Sequence, residues 1–273
     1  MKKKMFRKAL STILALMMIF TGFAWMSPYF STASAASDPY WEVRQVSSDF
    51  SCDRDSNNEY ASDLFMEWDY TAPAAPGYLK ITFGPNSLTQ PDCDFVYILT
   101  ESGSLFRVSG NLPAESFTVK GNSFRLFFQT DEDTVAYGFD ALVTAGNPAE
   151  LSEPASTPAG SVTPEDYGIP VLLALYNGGY MTYGYMASSS LPDVDRLNLE
   201  HFHLPAVPDL SGFTGLENLQ LEDSAITSLD GVTFPDSITD LNLNGNAIAT
   251  LGSVHFPNDL DTLDLEDNAI TSI

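Results

Sequence analysis

The sequence predicts a mixed, mainly β protein, an antiparallel β-sandwich followed by a short stack of repeats that share one parallel β-sheet. Three observations carry this. Up to Ala145, short runs rich in aromatic and β-branched residues alternate with turn signals about every ten residues. Residues 146–164 are then rich in Pro, Ser, Thr, Ala and Gly and carry almost no apolar periodicity. Beyond them a leucine pattern returns with a fixed period of 22 residues.

The N-terminal segment is a targeting signal by its composition. Lys2, Lys3, Lys4, Arg7 and Lys8 precede an apolar run from Ala9 to Trp25, and Ala33-Ser34-Ala35 follows. That order reads as a secretory signal peptide spanning residues 1–35, the alternative being an uncleaved membrane anchor. No second long apolar stretch follows, so no membrane insertion is expected after cleavage. The whole chain of 273 residues has a net charge of −24. Without the leader, 36 acids face only 7 bases, a net of −29. Such a surface repels phosphate and anionic lipid, which excludes nucleic-acid and membrane-surface binding. The expected location is extracellular.

Residues 38–145 supply the sandwich. The runs Phe65–Tyr70, Tyr78–Phe83, Phe95–Leu99, Ser116–Val119, Phe124–Phe128 and Phe139–Val143 read as half-buried strands. Between them stand Ala75-Pro76-Gly77, Gly84-Pro85-Asn86, Glu101-Ser102-Gly103 and Lys120-Gly121-Asn122, each with turn chemistry. Cys52 and Cys93 either close a loop of roughly forty residues, worth about 4 kcal/mol, or stand as two separate thiols.

Four local patterns in this half resemble the CUB domain family. They are Met66-Glu67-Trp68, where the family has Cys-x-Trp, then Ala75 to Phe83, then Cys93-Asp94-Phe95-Val96-Tyr97-Ile98, and finally Phe128-Gln129-Thr130-Asp131 with Gly138-Phe139-Asp140-Ala141. The resemblance implies a jelly-roll sandwich. It also implies that Asp94 and Asp131 stand where calcium-binding members offer carboxylates to a Ca²⁺ ion, with Asp92 and Asp133 nearby. Three departures accompany it. Met66 replaces a family cysteine, a Cys52–Cys93 bridge is not the family pairing, and Thr89 and Gln90 occupy the region of the expected glutamate.

Residues 146–165 read as an extended, flexible linker and residues 166–273 as a cap followed by repeats. Leu216-Glu217-Asn218-Leu219-Gln220-Leu221 returns at Ile238 and again at Leu260, with an earlier copy at Val194. The frame L-x-x-L-x-L-x-x-N-x-I, intact from Ile238 to Ile248, resembles the leucine-rich repeat, a solenoid of stacked turns. Alternate leucines point into a common core, and Asn246 and Asn268 are placed to hydrogen-bond the turns. Phe202 and Ser224 take the asparagine place in the first two copies, which predicts a weaker ladder there. Ahead of the repeats, Ile169 to Tyr176 is an apolar run stopped by Gly178-Gly179, which reads as a short capping helix. The chain stops at Ile273, inside the fourth copy and without a polar cap.

Chemistry-bearing motifs are few. His201-Phe202-His203 offers two imidazoles, but no further ligand stands at zinc spacing. No G-x-S-x-G, H-E-x-x-H or phosphate-cradling glycine loop occurs, and evenly spread acids read as a solvated surface, so no catalysis is expected. No cofactor is required, Ca²⁺ being the one ion the resemblance raises. The outward strand positions are more informative. Stacked copy on copy they give Arg196, Asn218, Asp240 and Thr262 in one column and Asn198, Gln220, Asn242 and Asp264 in a second. Glu200, Glu222, Asn244 and Glu266 form a third. The resemblance to leucine-rich repeats implies that this face binds a protein with a basic or hydrogen-bonding surface, at Arg196, Asn198, Gln220, Glu222, Asp240, Asn242 and Asp264. The predicted function is that of a secreted recognition or adhesion protein, with a linker coupling two weak sites. Two alternatives are a carbohydrate-binding module gripping a glycan on Trp41 or Tyr60, and a non-catalytic accessory subunit of a secreted hydrolase.

Overall fold

The computed structural model describes residues 41–131, 133–153, 160–181, 185–202, 204 and 206–272. The leader, residues 154–159 of the expected linker, His203 and Ile273 lie outside the described residues. The first half folds as two stacked sheets. One has the order β1-β3-β8-β5-β6, from β1 (Trp41–Val46), β3 (Phe65–Thr71), β8 (Ser123–Gln129), β5 (Phe95–Thr100) and β6 (Leu105–Val108). The other has the order β2-β9-β4-β7, from β2 (Asp49–Ser51), β9 (Asp140–Ala145), β4 (Tyr78–Phe83) and β7 (Ser116–Lys120). All pairs are antiparallel except β1 with β3.

Strands rise where the sequence alternates, because period-2 patterning puts one apolar row on each sheet face. The inner rows, including Trp68, Ile81, Val96, Leu126 and Phe128, bury completely around Phe139. Trp68 and Phe128 meet the Phe139 ring edge-on at 5.1 Å and 5.6 Å. Cys52 belongs to this core, and the Phe139 N–H donates to its Sγ at 3.3 Å. Gly138 (φ +78°) passes so close that a Cβ there would lie 2.3 Å from that sulfur. Cys93 is exposed on the turn before β5, and both cysteines are free, so the two thiols stand separately rather than bridged.

The outer face of the first sheet departs from the half-buried reading. Phe65, Tyr97, Leu99, Leu105 and Phe127 point away from the sandwich core and are also buried. What covers them is the second half of the chain. One hydrophobic cluster runs from these residues through a short helix into the leucines of the repeats. Phe95-Val96-Tyr97-Ile98-Leu99 and Leu126-Phe127-Phe128 are continuous apolar runs, the signature of strands covered on both faces. The sandwich and the repeats therefore belong to one compact unit rather than two tethered ones.

Two helices lead into the repeats, α1 (Pro164–Tyr167) and α2 (Ile169–Asn177). All seven residues from Ile169 to Leu175 are buried, because α2 lies between the first sheet and the first repeat. It ends as its glycines dictate, with the Gly178 N–H donating to Ala174 O at 2.9 Å and Gly179 at φ +79°. The strands β10 (Arg196–Asn198), β11 (Asn218–Gln220), β12 (Asp240–Asn242) and β13 (Thr262–Asp264) then form a four-stranded parallel sheet in chain order. Leu197, Leu219 and Leu241 point inward and are buried, while Leu263 in the last copy is 39% exposed.

The turns between copies carry the expected amide ladder. Asn246 accepts from the Ile226 N–H at 2.9 Å and donates to the carbonyls of Leu221, Leu243 and Asn244 at 2.8, 3.0 and 3.1 Å. Asn268 repeats this one copy on, and Ser224 makes a reduced version by donating to Leu199 O at 2.6 Å. Phe202 has another use. It is buried with its ring edge-on to Phe65 at 5.4 Å, so the first copy docks to the sandwich where later copies bond the preceding turn.

Candidate functional site

Parallel pairing in strict register assembles the polar face. Arg196, Asn218, Asp240 and Thr262 are Cα partners along one row, and Asn198, Gln220, Asn242 and Asp264 along the next. Main-chain bonds carry the alignment past the strands, since the Asp223 N–H donates to Asn244 O and the Gly245 N–H to Glu266 O, each at 3.1 Å. Most of these side chains are oriented by a neighbour. Asn242 donates to a Glu222 carboxylate oxygen at 2.9 Å, Gln220 to the Asn218 carbonyl at 2.9 Å, and Asn198 to Glu200 at 3.0 Å. Asp264 accepts from the Glu266 N–H at 2.9 Å, and Asn242 from the Asn244 N–H at 3.0 Å. Between β11 and β13 lies a shallow depression of about 210 Å³, with Asp240 and Asp264 on one diagonal and Asn242 and Thr262 on the other. At the upstream edge, the Tyr180 hydroxyl donates to Asp195 at 2.5 Å and holds that carboxyl below its usual range. Arg196 beside it is exposed.

The two aspartates implied as calcium ligands play different parts. Asp94 is fully buried, with one oxygen taken by the Tyr60 hydroxyl and the other by the Asp131 N–H at 2.8 Å. Thus Asp131 meets Asp94 through its backbone, while its own carboxylate accepts from the Asp133 N–H at 3.0 Å. Burial raises the Asp94 carboxyl above its ordinary value, offset by the Tyr60 hydrogen bond. Among the described residues no three His, Cys, Asp or Glu side chains are grouped to hold a metal ion. Tyr60 is 2% exposed and edge-on to Phe128, which removes it as a glycan platform. The side chain of Trp41 lies outside the described residues.

A second, smaller cleft of about 110 Å³ sits where the sandwich meets the repeats, lined by Cys93, Phe95, Gln129, Asp131, Asn177 and His201 among others. Its wall is built by a junction network. Tyr97 donates to Gln129 at 3.1 Å, Asn177 donates to the Tyr97 oxygen at 2.9 Å, and Arg107 donates to Asn177 at 2.9 Å. Arg107 also lies over the Phe95 ring at 4.7 Å. His201 reaches toward Asp63, Nδ1 to Oδ1 3.8 Å, and its neighbour Phe202 is in the core. Desolvation and then the neighbouring Asp131 carboxylate raise the Cys93 thiol above its ordinary value.

By sequence the chain matches no family model and no curated protein. Among solved structures it is similar to the full extracellular region of zebrafish Gpr126/Adgrg6, at 22% identity and a TM-score of 0.32 over 38% of this chain and 14% of that one. It is similar also to the CUB1-EGF-CUB2 domains of rat MASP-1, at 19% identity and a TM-score of 0.32 over 44% of this chain and 50% of that one. The chain thus spans half or less of either structure's length.

Two buried acidic sites escaped the sequence reading. Glu67, 1% exposed on the outer face of the first sheet, pairs with Arg125, which also approaches Asp69 at 3.7 Å. Glu153, inside the expected linker, is 5% exposed. The first had a legible signal, since Met66-Glu67-Trp68-Asp69 on β3 faces Arg125 on β8 once the register is known. The second had none, because a glutamate in a Pro- and Ser-rich stretch looks solvated. No described helix is long and apolar enough to cross a membrane.

Proposed function

We propose that this is a secreted or cell-surface recognition protein that binds a protein partner without catalysis, through the polar face of a leucine-rich-repeat array joined to a CUB-like sandwich. The reading rests on one observation, the in-register rows of Arg196, Asn218, Asp240 and Thr262 beside Asn198, Gln220, Asn242 and Asp264. Held amides and carboxylates on a rigid sheet lose little freedom on binding, which favours surface complementarity over induced fit. From Arg196 onward no other lysine or arginine occurs, so the face attracts cationic surfaces. The shared core replaces the linker-coupled pair of sites as the mechanism, with the sandwich holding the array in place.

Binding to a panel of small basic, neutral and acidic proteins, followed by biolayer interferometry at rising salt, tests the reading. Basic members are expected to bind with affinity that falls as salt rises, and Asp240→Lys with Asp264→Lys to lose about tenfold or more with unchanged melting. Equal binding by wild type and the charge-reversed double variant would move recognition off this face. Binding on a glycan array that is unaffected by the double variant would favour the carbohydrate-binding alternative.

A further inference from the structure

Glu153 is a buried carboxylate that the recognition face does not use. Three hydroxyls from the β5–β6 hairpin converge on one of its oxygens, Thr100 at 3.0 Å, Ser104 at 2.6 Å, and Ser102. Its other oxygen accepts from the Lys120 N–H on β7 at 2.5 Å. The chain is led to this socket by its neighbour, since Ser152 and Thr118 exchange two bonds of 2.8 and 3.0 Å. Thr100, Ser104 and Glu153 are all buried, so the charge is met by oriented donors in a water-poor place, where such bonds are strong.

The socket does not end in the sandwich. Ser104 also bonds the Tyr185 hydroxyl, from the segment that leads into the first repeat. As a carboxylate can only accept, Ser104 must donate to Glu153, which leaves Tyr185 as the donor to Ser104. A directed chain of hydrogen bonds therefore runs from Tyr185 through Ser104 to Glu153. Close by, the Val162 N–H donates to Met186 O at 2.7 Å and the Ser188 N–H to Gly160 O at 2.8 Å, so the chain re-enters beside Tyr185.

We propose that residues 151–153 form a strap, whose Glu153 carboxylate fills a hydroxyl-lined socket in the sandwich and, through Ser104, fixes Tyr185 and the cap of the repeat array. The strap sets the angle at which the array is presented, a role distinct from binding at its face. A carboxylate suits this socket because it accepts at both ends, which lets every hydroxyl donate to it. In Glu153→Gln the amide either turns its NH₂ to the Lys120 N–H and loses that bond, or turns it to the three hydroxyls, which must then accept, so that Ser104 no longer donates to this side chain and the direction of the chain from Tyr185 is broken.

Hydrogen exchange on the full chain tests this, with the β8 amides as the reference that general destabilisation would move equally. In Glu153→Gln the amides of Lys120, Val162 and Ser188 are expected to exchange about tenfold faster relative to β8. In Tyr185→Phe the Lys120 amide is expected to accelerate although the substitution lies in the other half of the chain. The double variant should show less than the product of the two single effects. Acceleration at Lys120 alone in Glu153→Gln, or fully multiplicative effects in the double variant, would overturn the proposal. Should Glu153→Gln fail to fold, an unmoved Lys120 amide in Tyr185→Phe would overturn it as well.

Discussion

Glu67 shows how one side chain can tie stability to pH. Burial pushes its carboxyl up to about 7, against the pull of Arg125 and with a further rise from Asp69. The folded state then keeps a proton that the unfolded chain, with an ordinary carboxyl near 4.5, has already released. Stability from this group is fully present below about 4.5 and is lost as pH rises through about 7. Glu67→Gln keeps the shape and removes the titration. Its stability relative to wild type is expected to rise between pH 5 and pH 8 in paired urea melts, and a difference that stays flat would contradict the assignment. Tyr60 and Asp94 illustrate the opposite case. They were legible as chemistry-bearing residues, yet each satisfies the other in the core, and a hydroxyl–carboxylate pairing across 34 positions is not written in local pattern.

At the scale of the element, the repeat is stable only as a stack, and its turns are bound by side-chain amides. Asn246 makes four bonds from a buried position, so Asn246→Ala strips the Ile226 N–H and the Leu221 carbonyl of this partner and takes one of two donors from the Leu243 and Asn244 carbonyls. A cost of about 2–4 kcal/mol is expected in urea denaturation. Asn268→Ala should cost clearly less, because that side chain makes the same bonds in an exposed last copy where water can replace them. Equal losses would mean that the ladder is not what holds the inner turns. The strands of the array were legible to the residue from the leucine period, since each copy repeats one steric problem. Strands β1, β2 and β6 were not, being short or interrupted by charges such as Glu42, Arg44 and Arg107. Pairing with a neighbour decides such strands, not their own propensity.

For the whole molecule, the decisive feature is the covered outer face of the first sheet. Phe65, Tyr97, Leu99, Leu105 and Phe127 share a cluster with α2 and the repeats, so neither half can unfold without exposing the other. One cooperative calorimetric transition is expected, with van't Hoff and calorimetric enthalpies in agreement. Two resolved transitions would show that the halves unfold as separate domains. Phe202→Ala removes the ring that meets Phe65 and should cost about 3–5 kcal/mol. Its effect should appear in probes of both halves, as the contact belongs to both.

The sequence by itself determined the place and order of six sandwich strands, the capping run and the 22-residue parallel stack with its outward polar rows. All of these follow from near-neighbour sterics, whose period of two or fixed repeat is printed along the chain. Only the tertiary structure decided that Cys52 and Cys93 stand apart, that Asp94 is turned inward to Tyr60, that Phe202 docks instead of extending the ladder, and that Glu153 is buried. Each of those depends on which distant surface comes to lie against the residue. Burial of an apolar face is non-directional, so local patterning specifies that a face must be covered, while only the assembled chain specifies by what.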